Sequence, residues 1–499
     1  MKYLMGLDNG GTVTKAAIFD TNGRQVAVSS RQTPLITPQP GYTERDMELL
    51  WQMNCECIRE VLSRADVRAD SIAGLAIAGH GKGLYPWGKD GAPAYHGIVS
   101  TDNRAWRFPQ KWKEDGSFDA LYPKLCQQLV PGQQACLLAW FKEHKPEVYG
   151  SIRWAFSVKD YIRFRLTDEA FSEATDISGS GLINVRDAVI DSEITDRLGI
   201  GEMSECIAPI RYSSDFCGAV TEAAAELTGL CPGTPVAGGM FDIDACAIAM
   251  NITEPDQLCS ITGTWTINEF ISRTPVVGTQ IAMNSLYAIP GFYLIEECSP
   301  TGAGNLEWVL DNLRIDVPEG QKVYAAADAL AESAAVDTDV YYLPFLYGSN
   351  DHPLAKASWI GLTSYHSAAH MLRAVYEGAA FSAKTHIDKL LSVRAAPAAI
   401  RLAGGVANSP MWVQMYADIL GLPIETVTGV KELGALGCAM AAAVAAGIYQ
   451  DYVEAAAAMV RVSEPVYPDP ERTAIYRKKY EMYTSIRKAL TDVWKNFEV

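Results

Sequence analysis

The chain has 499 residues, close to half of them apolar, and a formal net charge of −17 at neutral pH. That length exceeds what one hydrophobic core fills, so two domains of roughly 250 residues are expected. The acidic balance and the lack of any basic run argue against a nucleic-acid partner.

No basic region followed by an uninterrupted apolar run opens the chain, because Asp8 breaks it, so no signal peptide is expected. The most apolar long stretch, Ala435 to Tyr449, is shorter than the roughly 20 residues that span a bilayer and reads as a buried helix, not a membrane segment. Eleven cysteines without any paired CxxC spacing read as reduced thiols of a cytoplasmic protein.

The chain opens with a strand reading, Lys2 to Leu7, then the turn Asp8-Asn9-Gly10-Gly11-Thr12 and a return strand, Thr14 to Phe19. Asn22-Gly23 is a two-residue hairpin signal leading to a third strand at Gln25 to Ser29. From Met47 to Arg64 the spacing turns helical, with Leu50, Met53, Cys57 and Val61 on one face and Asp46 as N-cap. The apolar run Ile72 to Ala78 then ends in GHGKG.

A related pattern opens the second half. Asp256 to Ile271 reads as a strand, a Gly263-Thr264 turn and a returning strand; a long helix follows, and AIRLAGG leads into a helix capped by Ser409, started by Pro410 and ended by Gly421. The strand LPIETV and an alanine-rich helix complete an α/β pattern. Two halves that each open on a glycine-containing hairpin suggest a duplicated domain with a cleft between the copies, divided at residues 1–254 and 255–499. Ligands of open α/β sheets bind at the carboxyl ends of strands, where these glycines fall.

The first turn lacks the lysine and spacing of a Walker loop and of a GxGxxG fingerprint. Alone it is most often a plain hairpin. Paired with Gly263-Thr264, it reads as one of two turns holding a nucleotide's phosphates through backbone N–H donors, with Lys15 on the return strand as a nearby cation. Asp242 ends an apolar strand ahead of a helical run; capping that helix is the competing role, and Asp244 is a competing carboxylate. Strand-end aspartates such as Asp8 and Asp242 are what metal-assisted phosphoryl transfer requires, one beside the magnesium and one accepting the attacking hydroxyl's proton. His80, Lys82, Asp102 and Arg104, with Trp106, make a polyol or sugar site. Gly404 and Gly405 leave room for a ring or ribose against the backbone, and Asn408 can hydrogen-bond it; a tight strand-to-helix turn is the alternative.

In this order the segments LDNGGTVTKAAIFD, GYTERD, STDNR, KDYIRFRLT, GGMFDIDACA, ITGTW, SPTGAGNLEWVLDNL and AGGVANSPMWVQMYADILGLPI resemble the FGGY family of carbohydrate kinases over essentially the whole chain. The resemblance implies two actin-like (ribonuclease H-like) ATPase domains, the first carrying the sugar site and the second the nucleotide site. It implies ATP and Mg²⁺, a small sugar as substrate and, as in many members, a homodimer. It makes Asp242 the catalytic base, with Asp8 beside magnesium. Gly10, Gly11, Thr12, Lys15, Gly263 and Thr264 fall on the phosphate side, while Gly404, Gly405 and Asn408 line the adenosine site. His80, Lys82, Asp102 and Arg104 face the sugar.

Departures from the commoner pattern are Gly11, where many members carry threonine, and His80-Gly81-Lys82-Gly83, where xylulokinases carry Gln-Met-His-Gly. The GKGL loop, PQPGYTERDM and LPFLYGSN are most similar to the L-xylulose kinase branch, whose expected reaction is phosphorylation of the 5-hydroxyl of L-xylulose or a related ketose. Other pentuloses, polyols or keto-sugar acids, and an actin-like nucleotide switch without catalysis, are the alternatives.

Overall fold

In the computed structural model, residues 1–278, 281, 283–313, 315 and 317–497 are described. Two mixed sheets organise the chain. The first contains β1 (Tyr3–Asn9), β2 (Val13–Asp20), β3 (Gln25–Gln32), β4 (Ile72–Gly79), β5 (Phe216–Ala219), β6 (Pro235–Ala237) and β7 (Met240–Phe241). The second contains β8 (Leu258–Thr262), β9 (Thr266–Ser272), β10 (Met283–Leu286), β11 (Tyr293–Ser299), β12 (Ile400–Gly404) and β13 (Ile424–Thr426).

The sheets share one plan. In the first, β1, β2 and β3 form an antiparallel meander, while β4 joins β1 in parallel and is followed by β6. In the second, β8, β9 and β11 form the meander, while β12 joins β8 in parallel and is followed by β13. This repeated strand order is the duplication expected from the paired hairpins.

The helices begin where local chemistry allows. Asp46 accepts the Leu49 N–H at 2.9 Å and starts α1 (Met47–Ala65). Further along are α2 (Val158–Thr167), α3 (Asp242–Ala249) and α4 (Ala368–Leu391). Ser409 accepts the Trp412 N–H, Pro410 occupies the first turn and Gly421 takes φ 67° beyond the end of α5 (Pro410–Leu420), so all three sequence signals act as expected. The alanine-rich run forms α6 (Leu433–Ala445), and α7 (Pro470–Trp494) closes the chain.

Helix α6 comes from the second half yet packs on the first sheet and on α3. A methyl group added at Gly6 would lie 1.8 Å from the Ala435 carbonyl oxygen, and one at Gly437 would lie 2.1 Å from that of Ala245. Only glycine permits these backbones to approach so closely. The resulting core joins Leu4 and Ala78 of the first sheet, Ile248 of α3, Met440 of α6 and Cys259 of the second sheet. Each fully buried Leu, Ile or Met there contributes about 1.5–3 kcal/mol of apolar transfer. The two sheets are thereby held about a shared layer of helices, with the strand ends that carry the candidate site beside that layer. All 11 cysteines are free thiols.

Candidate active site

The register sets the first wall of the site. Asn9 lies opposite Gly79 in the parallel β1–β4 pair, and Phe241 also lies opposite Gly79 in the β7–β4 pair. Asp8, His80 and Asp242 therefore come to the carboxyl ends of three neighbouring strands. In the second sheet Thr262 lies opposite Gly404, which sets the Gly263-Thr264 turn beside Gly404-Gly405. Gly263, Thr264, Gly404, Gly405 and Asn408 are all exposed.

The two aspartates differ in exposure and in partners. Asp244 is fully buried and accepts the Ala288 N–H at 3.2 Å. Asp242 is half-buried and opens α3, whose N-cap position is Phe241, without a side-chain capping bond from that residue. Burial and the carboxylates of Asp8 and then Asp176 push the Asp242 pKa well above its ordinary range. Asp8 is pushed up to about 6 by burial, with Lys15 opposing and Glu432 adding to the shift. One oxygen of Asp8, Oδ1, is buried with no hydrogen-bond partner.

Several of the groups expected to meet ligand carry bonds within the chain. The Gly10 N–H closes its own turn on the Val13 carbonyl at 3.0 Å, and the Gly263 N–H does the same on the Trp265 carbonyl at 2.9 Å. The N–H groups of these two glycines are thus spent on holding the hairpins, while Gly11, Thr12, Gly263 and Thr264 are exposed. Lys15 is not a free cation: it donates to Glu432 Oε2 at 2.7 Å, just ahead of α6. The Asn408 amide turns back to the Gly404 carbonyl at 3.5 Å.

On the sugar side, His80 is buried and its Nε2 pairs with the Tyr85 hydroxyl at 3.0 Å. Burial and then Arg45 lower its pKa to about 3, so the ring is neutral. Asp102 and Arg104 bind each other. Asp102 Oδ1 accepts from the Arg104 N–H and Nε at 2.9 Å each, and Oδ2 accepts from Arg104 Nη2 at 2.8 Å and the Thr43 N–H at 2.6 Å. Arg104 also reaches Glu44 at 2.8 Å and packs over Tyr42 and Trp140. Their charged groups are thus taken up largely by each other and by Glu44 and Thr43, with both side chains buried. Lys82, in contrast, is half-buried and adopts φ 63°, and its charge opposes the burial-raised pKa of Glu296 on β11 of the other sheet.

Residues that sequence reasoning did not single out complete the surroundings. Arg45 is buried and its guanidinium donates to the carbonyls of Gly10, at 3.4 Å, and Gly11, which braces the first hairpin. Asp176 is buried and pushed up to about 7 by burial, against the attraction of Lys159. Arg45 lies within GYTERD, but Asp176 has no local signal, because its nearness to Asp242 exists only in the folded chain.

Strand-end carboxylates beside two sheets of the same ribonuclease H-like plan are the marks of an actin-like phosphotransferase. Comparison with known proteins gives the family. Residues 3–249 match the N-terminal domain and residues 258–446 the C-terminal domain of the FGGY family of carbohydrate kinases. The chain is 36% identical to an L-xylulose/3-keto-L-gulonate kinase of Escherichia coli, over 98% of this chain and 97% of that one. It is 34% identical to a probable L-xylulose kinase of Pasteurella multocida, over 98% and 99%. A solved structure titled as a ligand-bound xylulose kinase from Lactobacillus acidophilus superposes with a TM-score of 0.90 at 26% identity, over all of both chains. The chain belongs to the FGGY family of carbohydrate kinases, and its activity is ATP-dependent sugar phosphorylation.

Proposed function

We propose that the chain transfers the γ-phosphoryl group of ATP to the 5-hydroxyl of L-xylulose or a closely similar ketose, with Asp242 as the base. The observation that carries this reading is the contrast between Asp242, half-buried at the end of β7, and Asp244, sealed and bonded to backbone. Only the former can meet a substrate hydroxyl. A carboxylate at that position can take up the proton as the hydroxyl attacks.

Magnesium fits the donor set. Asp8 holds a buried oxygen with no hydrogen-bond partner, and Asp8 with Asp242 supplies the one or two carboxylates that magnesium takes beside phosphate oxygens. Bound magnesium supplies neutralisation of phosphate charge. The chain's own part is to hold Asp8 at the hairpin, braced by Arg45 beneath Gly10 and Gly11, and to present Gly11, Thr12 and Thr264 towards phosphate. Gly404, Gly405 and Asn408 border the adenosine. In this reading residues 1–254 carry the sugar and the base, and residues 255–499 the nucleotide.

A second substrate class has its own support. Lys82 brings a cation to the sugar loop, which favours a keto-sugar acid, and the Escherichia coli relative is named for such a substrate as well as for L-xylulose. We place the protein in the cytoplasm, where ATP is supplied and free thiols stay reduced; a homodimer is the expected assembly.

An ADP-release screen over both xylulose enantiomers, other pentuloses, pentitols, hexuloses and keto-sugar acids tests the function. Strongest turnover of L-xylulose supports the first reading and of a keto acid the second. A flat response across all of them overturns both.

A further inference from the structure

We infer that Thr175 is a positioning residue for Asp242, acting through the peptide bond that precedes it. The Thr175 hydroxyl accepts the N–H of Phe241 at 2.8 Å and donates to Glu173 Oε2 at 2.7 Å. With the proton committed to the carboxylate, the oxygen lone pairs face Phe241. That bond fixes the peptide plane immediately ahead of Asp242.

The acceptor is held rigidly. Glu173 is fully buried, takes the Thr175 N–H at 3.0 Å and the Ser213 hydroxyl at 2.8 Å on its other oxygen, and lies 3.2 Å from Lys159 Nζ. Lys159 is itself fully buried and bonds Asp160 Oδ1 at 2.9 Å. Arg163, paired with Asp160 at 2.8 Å, donates to the Gly238 carbonyl at 2.7 Å. The segment 238–241 is therefore gripped at both ends by one buried ion cluster, which no apolar contact would orient so narrowly. Buried charges are costly unless paired, and one use of this cluster is to fix where the carboxylate of Asp242 stands.

The inference rests on Asp242 being the base. Its test compares the full-length chain with Thr175→Val and Thr175→Ser, using magnesium ATP and L-xylulose, or whichever sugar of the screen releases most ADP, with Asp242→Ala as control. Expected for Thr175→Val is a kcat lower by about tenfold, with KM values for both substrates within about twofold of the parent. Thr175→Ser, which keeps the hydroxyl, restores kcat. Thr175→Val with parental kcat, while Asp242→Ala is inactive, overturns the positioning role alone; so does a loss that Thr175→Ser fails to rescue. Retained activity in Asp242→Ala removes the base reading and this inference with it.

Discussion

Lys15 Nζ lies 2.7 Å from Glu432 Oε2, and the bond joins the first hairpin to the start of α6 across 417 positions of the chain. Both charges act on Asp8, Lys15 lowering its pKa and Glu432 raising it. The pair is thus both a clasp between the halves and a control on the carboxylate proposed to stand beside magnesium. Its partial exposure keeps its own stabilising effect small.

That arrangement sets a pH response. If Asp8 stands beside magnesium as proposed, it must be ionised there, and activity is expected to fall as pH drops through its pKa of about 6. Lys15→Met removes the charge that lowers this pKa, so the acid limb of kcat/KM moves to higher pH and activity at pH 6 falls about threefold. Glu432→Gln moves the limb the other way. Both shifts shrink in high salt. Profiles measured at two ionic strengths check the signs.

Asp242 and Asp244 separate by chemistry, not by folding. Asp242→Asn is expected to lower kcat by about 10³-fold with little change in KM and a melting temperature no lower than the parent's. Asp244→Asn keeps kcat within about tenfold of the parent because that side chain meets only the Ala288 N–H and the interior. Steady-state kinetics on the two variants decides it; equal losses would mean that Asp242 is not the base.

Asp176 links stability to pH. Its pKa is near 3.8 in an exposed chain and about 7 when folded, so the native state binds the extra proton between those values. Folding stability from this group is therefore greatest at low pH and falls as pH rises towards 7. Asp176→Asn removes that slope, so the variant gains about 1–3 kcal/mol over the parent at pH 8 but not at pH 4.5. Urea melts at the two pH values measure the difference.

Gly404 has φ 90°, and a methyl group there would lie 2.3 Å from the Thr262 carbonyl oxygen. Gly404→Ala therefore costs about 2 kcal/mol of stability and raises the KM for ATP more than that for the sugar, because the strain falls at the proposed adenosine wall. Urea titration and paired KM measurements test both parts.

Much of this was legible along the chain because it is local. The two hairpins, the Asp46 and Ser409 caps and the Gly421 stop depend on residues within a turn of one another, so short-range hydrogen bonding decides them. The repeated order of hairpin, strand and helix carried the duplication, and the ordered motifs pointed to the kinase family. What lies beyond a turn was not legible. Nothing near Lys15 announces Glu432, and the spacing of Asp102 and Arg104 suggests two sugar ligands as readily as the sealed ion pair they form.

By itself, then, the sequence determined the strand-end positions of Asp8 and Asp242 and the turns around them, since backbone propensity and hydrogen bonding act over a few residues. Only the tertiary structure decided which aspartate stays partly exposed, that Arg45 braces the first hairpin, and that Asp176 and Thr175 stand around Asp242. Those outcomes follow from burial and from Coulomb interaction, which depend on distance in space and not along the chain.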